Sequence, residues 1–285
     1  MKVLLIGADG QLGWELRRCC PSGAVLSAVD YPEIDLRDNA GITEWINRIK
    51  PRWIINAAAY TAVDKAEQDP ESANLLNHTA VARLAEAAGQ NGARLVHIST
   101  DFIFNGRHGS PYRPDDAADP LSVYGMSKMK GELAAREILP EDLLLFRTAW
   151  LYSSHGANFV KTMLKLMRER ECLNIIDDQV GTPTWAHGLA EVIWQAMKKD
   201  LTGIFHWTDA GVASWYDFAV AIQEDALAAG LLSRAIPVYP IPTAQYPTPA
   251  KRPLFSVLDK RSTREATGMQ PVHWRVQLRK MLKEL

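Results

Sequence analysis

The first half of the chain alternates short apolar runs with stretches of helical periodicity, and this alternation restricts the possible folds more than any other feature. The apolar runs are KVLLIG, AVLSAVD, RWIINAAA, RLVHIST and DLLLFRT. Runs that are continuously apolar are typical of parallel strands whose two faces are both covered by helices. The alternation therefore predicts an α/β fold built on a doubly wound parallel sheet.

The rhythm loosens after about residue 151. The helical patterns FVKTMLKLMRER and GLAEVIWQAMKK are followed by the proline-rich run IPVYPIPTAQYPTPAKRP and a last helical stretch. Apolar and aromatic residues interleave with these prolines, which is typical of an ordered connector and not of a disordered tail. We expect a dinucleotide-binding domain over residues 1–150, to which 184–206 returns, and a smaller C-terminal substrate domain from 151–183 and 207–285.

Length and charge exclude several classes of protein. A chain of 285 residues can bury a sizeable core, and its net charge of −1 offers no basic surplus to nucleic acid or an anionic membrane. No apolar run reaches the ~20 residues that a membrane span requires. The 3 cysteines form neither an even-numbered disulfide framework nor a metal-ligand spacing. We therefore expect a cytoplasmic protein with no nucleic-acid or membrane partner and no metal.

A glycine-rich turn follows the first predicted strand. In LLIGADGQLG, Gly7 permits a tight turn, Gly10 lets the backbone approach a pyrophosphate, and Gly13 allows close packing of helix on strand. The helix that starts here presents unpaired N–H groups and a positive dipole end to phosphate. The turn predicts a Rossmann-like dinucleotide site, although its glycine spacing is one residue longer than the usual fingerprint.

The residue that ends the second predicted strand bears on the choice of cofactor. Asp30 can accept hydrogen bonds from an adenosine ribose and would repel a 2′-phosphate, which favours NADH over NADPH. Arg17 and Arg18 lie close enough in sequence to weaken that preference. NADH or NADPH therefore remains open.

Thr100, Tyr124 and Lys128 are the candidate catalytic residues. Thr100 follows a predicted strand, and Tyr124 opens the next helix with Lys128 one turn later. Reduction of a ketone requires a hydride at carbon and a proton at oxygen. A free tyrosine has a pKa of about 10, and a nearby ammonium stabilises its phenolate. We expect Lys128 to lower the pKa of Tyr124 and Thr100 to polarise the substrate carbonyl.

The motifs GADGQLG, STDFIFNG and YGMSKMKGE together resemble the extended short-chain dehydrogenase/reductases. Further stretches resemble the dTDP-4-dehydrorhamnose reductase family nearly to the C-terminus: NAAAYTAVDKAE, FRTAWLYSSHGANFVKTML, DDQVGTPT, SWYDFA and YPTPAKRP. The resemblance implies an NAD(P)H-dependent enzyme of dTDP-rhamnose biosynthesis. It would reduce the C4 ketone of dTDP-4-dehydro-L-rhamnose, with Tyr124 as general acid.

The same resemblance implies roles for residues at matching positions. Besides the glycines and Asp30, the implied cofactor contacts are Gln11, Leu12, Asp35, Leu36, Ala58, Ala59, Tyr60, Tyr124 and Lys128. The implied substrate contacts are Thr100, Asp101 and Trp150. Arg252 is a further candidate, because its planar fork suits a pyrophosphate.

The resemblance also bears on metal and assembly. Some members of the family dimerise around Mg²⁺ held by glutamates. Glu15 matches one of these glutamates, but His187 occupies the place of another. We therefore expect that the chain can form a homodimer and that it binds no Mg²⁺.

Three alternatives share the fold. Sugar 4,6-dehydratases carry Thr-Asp-Glu, and Phe102 in the third position here has no proton to transfer. A nucleotide-sugar 4-epimerase would keep the same tyrosine and lysine, so it remains open, although DDQVGTPT and YPTPAKRP favour the reductase. A non-catalytic regulatory subunit of the methionine adenosyltransferase type also remains open.

Overall fold

A computed structural model describes the whole chain, Met1–Leu285. The strands are β1 Lys2–Ile6, β2 Val25–Val29, β3 Trp53–Asn56, β4 Arg94–Thr100, β5 Leu143–Thr148, β6 Leu151–Tyr152, β7 Leu173–Ile176, β8 Val180–Gly181, β9 Thr184–Trp185, β10 Gly203–His206, β11 Ala213–Ser214 and β12 Val238–Ile241. The helices are α1 Gln11–Arg18, α2 Asn39–Ile49, α3 Val63–Ala66, α4 Pro70–Asn74, α5 Ala80–Gln90, α6 Val123–Ile138, α7 Phe159–Glu169, α8 Ala186–Lys198, α9 Trp215–Ala228, α10 Arg261–Thr267 and α11 Trp274–Leu282.

The main sheet has 6 strands in the order β2-β1-β3-β4-β5-β10. All its pairings are parallel, as the sequence predicts for a doubly wound sheet. The order reverses direction at β1, with β2 on one side and β3 on the other, and such a switch point opens a crevice beyond the carboxyl ends of the strands. The predicted fold class is confirmed, and β10 adds an edge strand that the sequence pattern did not reveal.

Alternate residues of the strands enter two separate hydrophobic clusters. Leu4 and Ile6 pack on one face of the sheet with residues of α2 and α5. Val3 and Leu5 pack on the other face with residues of α1 and α8. Because side chains alternate along a strand, helices on both faces require apolar residues at every position. The continuously apolar runs follow from this double covering.

The C-terminal half has its own hydrophobic cluster, built from α7, α9 and α11 and including Phe218 and Leu278. Its sheets are small: β8 pairs with β11, β6 with β9, and β7 with β12. The proline-rich run supplies β12, in which Pro240 is tolerated because a two-stranded sheet has only edge strands. No helix of the chain is both long and apolar enough to cross a membrane.

Candidate active site

A cavity of about 1240 Å³ opens at the carboxyl ends of β1, β3, β4 and β5. It is large enough for a dinucleotide and a second ligand together. All the sequence-predicted site residues except Gly13 line it: Gly7, Gly10, Gln11, Leu12, Asp30, Asp35, Leu36, Ala58, Ala59, Tyr60, Thr100, Asp101, Tyr124, Lys128, Trp150 and Arg252. The structure therefore brings these residues together around one space.

The three glycines of the first turn have different surroundings. Gly7 has a φ of +84°, and a Cβ there would lie 2.5 Å from the backbone nitrogen of Ala58. A Cβ at Gly13 would lie 2.0 Å from the carbonyl oxygen of Gly7, so this glycine lets α1 pack against the turn. A Cβ at Gly10 would meet nothing closer than 3.4 Å. Gly10 is thus the glycine whose bare backbone faces open space.

The N-terminus of α1 has no side-chain cap. The first N–H groups of a helix have no partner within it, so here they are available to an anion. Together with the space beside Gly10, this geometry fits the pyrophosphate of a nicotinamide dinucleotide.

The end of the cavity near Asp30 holds an arginine as well as two carboxylates. Asp30 accepts hydrogen bonds from the backbone N–H groups of Asp9 at 2.8 Å and Tyr31 at 2.7 Å. Arg37, which the sequence analysis missed, also lines the cavity and forms an ion pair with Asp35 at 2.6 Å. Its hydrogen bonds hold the pKa of Asp35 below its usual value. Arg37 followed no recognisable motif, so only its place in the fold reveals it.

Tyr124 is fixed by the way α6 begins. The Ser122 hydroxyl accepts a hydrogen bond from the Gly125 N–H at 3.1 Å, which caps the helix. A Cβ at Gly125 would lie 2.2 Å from the carbonyl oxygen of Phe102, so this glycine lets α6 approach the end of β4 closely. The rings of Phe102 and Tyr124 then meet edge to face at 5.7 Å. Tyr124 thereby comes to lie beside Thr100, the last residue of β4.

The pKa values of the catalytic pair differ from the expectation. Burial raises the pKa of Tyr124 to about 12, and a hydrogen bond with Thr100 opposes that rise. Burial lowers the pKa of Lys128 to about 8, and its Nζ donates to the carbonyl oxygen of Ile98 at 2.5 Å. The expectation that Lys128 lowers the pKa of Tyr124 was wrong, because desolvation of the phenol has the largest influence on that pKa and raises it.

Asp101 lies in the interior next to the catalytic residues. Burial raises the pKa of its carboxyl to about 6, and hydrogen bonds with Ser256 and Thr100 act in the opposite direction. The Thr100 hydroxyl donates to Asp101 Oδ1 at 3.1 Å. Thr100 and Asp101 therefore form one hydrogen-bonded unit on the wall of the cavity.

The two remaining predicted substrate contacts lie on the C-terminal side. Trp150 has a φ of +48° and stacks on Trp215, with ring centroids 3.6 Å apart. Arg252 directs its guanidinium at Asp64, with N–O distances of 3.0 and 2.7 Å. The fork that was expected to bind a pyrophosphate is therefore engaged by a carboxylate at the edge of the cavity.

Asn77 is a buried positioning residue that the sequence analysis missed. It lies in a π-helical turn, Leu75–Thr79, which interrupts what the sequence suggests is one long helix. Its side chain accepts a hydrogen bond from Tyr60 N at 2.9 Å and donates to Tyr60 O and to the Ser127 hydroxyl, each at 3.0 Å. Asn77 thus ties the Tyr60 backbone to α6. An asparagine inside a helical pattern carries no signal of such a role.

The surroundings of Glu15 do not fit a magnesium site. Glu15 is fully buried and accepts a hydrogen bond from the Ser153 hydroxyl at 2.7 Å. His187 Nδ1 lies 3.2 Å from the Glu15 carboxylate and 3.3 Å from Cys19 Sγ. Hydrogen bonds to Cys19 and Glu15 raise the pKa of His187 to about 10. Mg²⁺ takes oxygen ligands, whereas the His187 imidazolium and the Arg18 guanidinium contact this carboxylate.

Comparison with known proteins assigns the family. The family model described as the RmlD substrate binding domain matches residues 1–285. A dTDP-4-dehydrorhamnose reductase of Escherichia coli (strain K12) is 41% identical over 295 residues, covering 100% of this chain and 98% of the relative.

Solved structures agree with this. A dTDP-4-dehydrorhamnose reductase from Clostridium acetobutylicum is 37% identical with a TM-score of 0.93, covering 100% of this chain and 99% of that one. A dTDP-4-dehydrorhamnose reductase from Bacillus anthracis, in complex with NADP, is 32% identical with a TM-score of 0.94, at the same coverage of 100% and 99%. The chain therefore belongs to the RmlD substrate binding domain family.

Proposed function

We propose that this chain reduces the C4 ketone of dTDP-4-dehydro-L-rhamnose with a reduced nicotinamide dinucleotide to give dTDP-L-rhamnose. The relatives described above have the name of that reductase, and the match to this chain covers nearly their whole length. The observation that carries the proposal is the meeting of Thr100, Tyr124 and Lys128 on one cavity, next to a helix N-terminus suited to a pyrophosphate.

The chain's residues prepare the ketone for reduction. When bound, the reduced nicotinamide supplies the hydride that C4 receives. The Thr100 hydroxyl, whose one proton turns from Asp101 to the substrate, polarises the carbonyl oxygen. Tyr124 donates its phenolic proton to that oxygen as negative charge develops there. Because the pKa of Tyr124 is raised to about 12, the phenol is fully protonated at neutral pH. A developing alkoxide is a far stronger base than a phenolate, so the transfer remains downhill.

Lys128 acts on the charge that this transfer leaves behind. Its ammonium is buried beside the strand end, where a positive charge stabilises a nearby phenolate strongly in a low dielectric. The Ile98 carbonyl, which accepts its hydrogen bond, fixes the direction of Nζ. We assign Lys128 a second contact with the nicotinamide ribose, in line with the family resemblance.

The substrate contacts follow the geometry of the cavity. Thr100 and Asp101 face the reacting sugar, and Trp150 forms a flat apolar wall two residues beyond the end of β5. Arg252 reaches the pyrophosphate once its fork leaves Asp64, since a guanidinium binds carboxylate and phosphate in the same bidentate manner.

For the cofactor, we infer that both NADH and NADPH are accepted. Asp30 favours NADH, but two backbone N–H groups already bind its carboxylate. Arg37, which is paired with Asp35, lies in the same part of the cavity and brings a positive charge that a 2′-phosphate would meet there. The preference follows from the Kd values of the two cofactors, measured side by side with the wild-type protein and Arg37→Gln. A selective loss of NADPH affinity supports the role of Arg37, and equal losses argue against it.

We propose that the enzyme works without Mg²⁺, because an imidazolium–carboxylate pair stands at the Glu15 position. Activity and oligomeric state are then unchanged by a chelator and by added Mg²⁺. A homodimer remains a prediction, which light scattering of the purified protein checks in the same experiment. Loss of turnover or of the dimer on chelation would contradict the metal-free proposal.

Turnover of dTDP-4-dehydro-L-rhamnose with NADH or NADPH, followed by cofactor oxidation and by identification of the product, tests the function. Tyr124→Phe should lower kcat/KM by about 10²–10⁴-fold, the usual loss for a general acid, while cofactor still binds. Tyr239→Phe is the matched control, because Tyr239 is exposed and does not line the cavity. An epimerase would convert its substrate without net cofactor oxidation, and a regulatory subunit would show no turnover.

A further inference from the structure

Trp150 adopts a backbone conformation that a bulky residue rarely accepts. Its φ is +48°, in the left-handed region, two residues after the end of β5. A non-glycine residue stays there only when its surroundings leave it no other choice, and such residues cluster at functional sites. Its carbonyl oxygen accepts a hydrogen bond from Thr184 N at 3.1 Å, which fixes the backbone of the turn.

Two residues of the C-terminal half enclose the indole of Trp150. Trp215 covers one face, with centroids 3.6 Å apart and planes inclined by only 7°. Gly181 lies against the edge, where a Cβ would stand 2.7 Å from Cε2 and 2.8 Å from Nε1. Real side chains do not approach this closely, so only glycine leaves room for the indole in this position.

Gly181 and Trp215 belong to one small structural unit. Gly181 in β8 pairs with Ala213 in β11, and Trp215 follows β11 at the start of α9. That start is held by a capping box between Ser214 and Asp217. The two contacts of the Trp150 indole, Trp215 on its face and Gly181 at its edge, therefore both depend on the pairing of β8 with β11.

The wall lies at the sugar end of the cavity. Thr148, the last residue of β5, pairs with Thr100 across the sheet, and Trp150 follows Thr148 by two residues. Trp150 and Trp215 both line the cavity. A flat indole surface at this place suits contact with the C–H groups of a sugar ring and with its methyl group.

We propose that Gly181 and Trp215 are positioning residues, which hold Trp150 as the wall that selects the 6-deoxyhexose unit of the nucleotide-sugar. This inference rests on the proposed function, and it extends that function from the reaction to the recognition of its substrate. The wall acts on the sugar and not on the nucleotide or the cofactor. Its loss should therefore change affinity for the sugar-bearing ligand alone.

The test is Gly181→Ala, with dTDP-L-rhamnose, dTDP and NADPH as separate binding probes. The new Cβ displaces the Trp150 edge, so affinity for dTDP-L-rhamnose should fall roughly tenfold or more, a typical effect of overpacking. Affinities for dTDP and NADPH should stay within about twofold. Stacked indoles couple their electronic transitions, so the far-ultraviolet circular dichroism couplet of the pair should also weaken.

Matched variants separate positioning from general damage. Gly23→Ala is the glycine control, because a Cβ there meets no atom within 4 Å. Trp45→Phe removes a tryptophan on α2 outside the cavity and should leave the couplet intact. Trp215→Leu removes the stacking partner without touching Gly181 and should reproduce the selective loss. In a Trp150→Phe background, Gly181→Ala should have less than about a threefold effect, because the smaller ring lacks the atoms that the Cβ would meet.

Three results would overturn the inference. Gly181→Ala could leave both the couplet and the affinity for dTDP-L-rhamnose unchanged, or weaken dTDP and dTDP-L-rhamnose equally. If Gly181→Ala does not fold, as judged by lost NADPH binding, Trp215→Leu decides, and unchanged sugar affinity in it overturns the proposal. Failure of the wild-type protein to bind dTDP-L-rhamnose would instead refute the proposed function itself.

Discussion

The two halves of this molecule build their share of the cavity in different ways. In the N-terminal half, Gly7, Asp30, Ala57 and Asp101 line the cavity and directly follow strands of the main sheet, of which β4 alone has 7 residues. In the C-terminal half, β6, β8, β9 and β11 have 2 residues each. At the border of the two halves, Trp150 is placed by Gly181 and Trp215, which lie far from it along the chain. One half is specified by local pattern, and the other by contacts between distant segments.

This difference matters for cooperativity. The sheet is packed on both faces by its own helices, whereas the C-terminal half has a separate cluster around Phe218. Separate cores are the usual mark of separate domains. We propose that residues 1–150 with 184–206 form one domain and that 151–183 with 207–285 form the other.

The largest expected loss of stability comes from creating a cavity in one hydrophobic core at a time. Phe218→Ala and Phe146→Ala each remove a fully buried ring, one from each half, and each should lower the free energy of unfolding by about 3–5 kcal/mol. If the halves are separate domains, Phe218→Ala should split thermal unfolding into two transitions, and NADPH should stabilise the upper one. Calorimetry with and without NADPH checks this.

A single transition in Phe218→Ala that shifts as a whole with NADPH would contradict the division. Phe146→Ala is the matched substitution, because the same ring is lost from the sheet itself. Phe146→Ala should lower the midpoint temperature of the transition that NADPH stabilises.

The sequence was informative where physical requirements are local. A strand covered on both faces needs apolar residues at every position, so β1–β5 were visible as apolar runs. The close contacts at Gly7 and Gly13 exclude any side chain, so those glycines were visible too. Tyr124 and Lys128 stood out because their spacing on a helix and their chemistry fit one reaction.

The rest depended on long-range contacts that no local pattern encodes. The edge strand β10 has only 4 residues and is recognisable only through its pairing with β5. Asn77 and Trp215 act on Tyr60 and Trp150, which are distant in sequence. The pKa of Tyr124 was misjudged because desolvation depends on the whole surrounding fold.

The next effect sharpens the idea that the N-terminal half is specified by local geometry. Gly13→Ala places a Cβ 2.0 Å from a backbone oxygen, whereas Gly10→Ala places one no closer than 3.4 Å. We expect Gly13→Ala to lower the free energy of unfolding by roughly 3 kcal/mol, the upper end for overpacking. Gly10→Ala should leave stability within about 1 kcal/mol and weaken cofactor binding, because its Cβ occupies the space for the pyrophosphate.

Denaturant unfolding and cofactor titration of the two variants provide the measurement. Equal losses of stability in the two variants would show that the two glycines do not differ in role.

A pH profile compares two lysines, one from each half, of which Lys128 is buried and Lys260 is partly buried. Burial lowers the pKa of Lys128 and of Lys260 to about 8. If only the charged form of Lys128 supports catalysis, kcat/KM should be constant below pH 8 and should fall about tenfold per pH unit above it. Tyr124 adds no limb below pH 12, since its raised pKa keeps it protonated. Lys128→Met should abolish the limb, and Lys260→Met should retain it.

The fall in kcat/KM above pH 8 shows whether Lys128 or Tyr124 is the group that titrates. A limb that survives Lys128→Met would assign the titration to Tyr124 and restore the expectation of a lowered phenol pKa. A limb lost in Lys260→Met would place the controlling charge in the C-terminal half.

The smallest effect concerns the ion pair that joins the halves at the mouth of the cavity. Asp64 at the start of α3 binds Arg252 of the C-terminal half, and it also accepts a hydrogen bond from Ala250 N at 3.2 Å. Both side chains are partly exposed, at 20% for Arg252 and 42% for Asp64, so Asp64→Asn should change stability by less than about 1 kcal/mol. If Arg252 must leave Asp64 to reach a pyrophosphate, the same variant should bind dTDP more tightly, by at most about fivefold.

Titration calorimetry with dTDP measures this, and Glu171→Gln is the control because it breaks an exposed arginine pair, with Arg234, away from the cavity. If Asp64→Asn binds dTDP more weakly, the ion pair has a structural role: it holds the C-terminal segment in place, and Arg252 does not bind the pyrophosphate. Arg252→Lys separates the two roles further, since it keeps the charge and loses the fork. If Asp64→Asn binds dTDP more tightly and Arg252→Lys binds it more weakly, Asp64 and the pyrophosphate of the substrate compete for the Arg252 guanidinium.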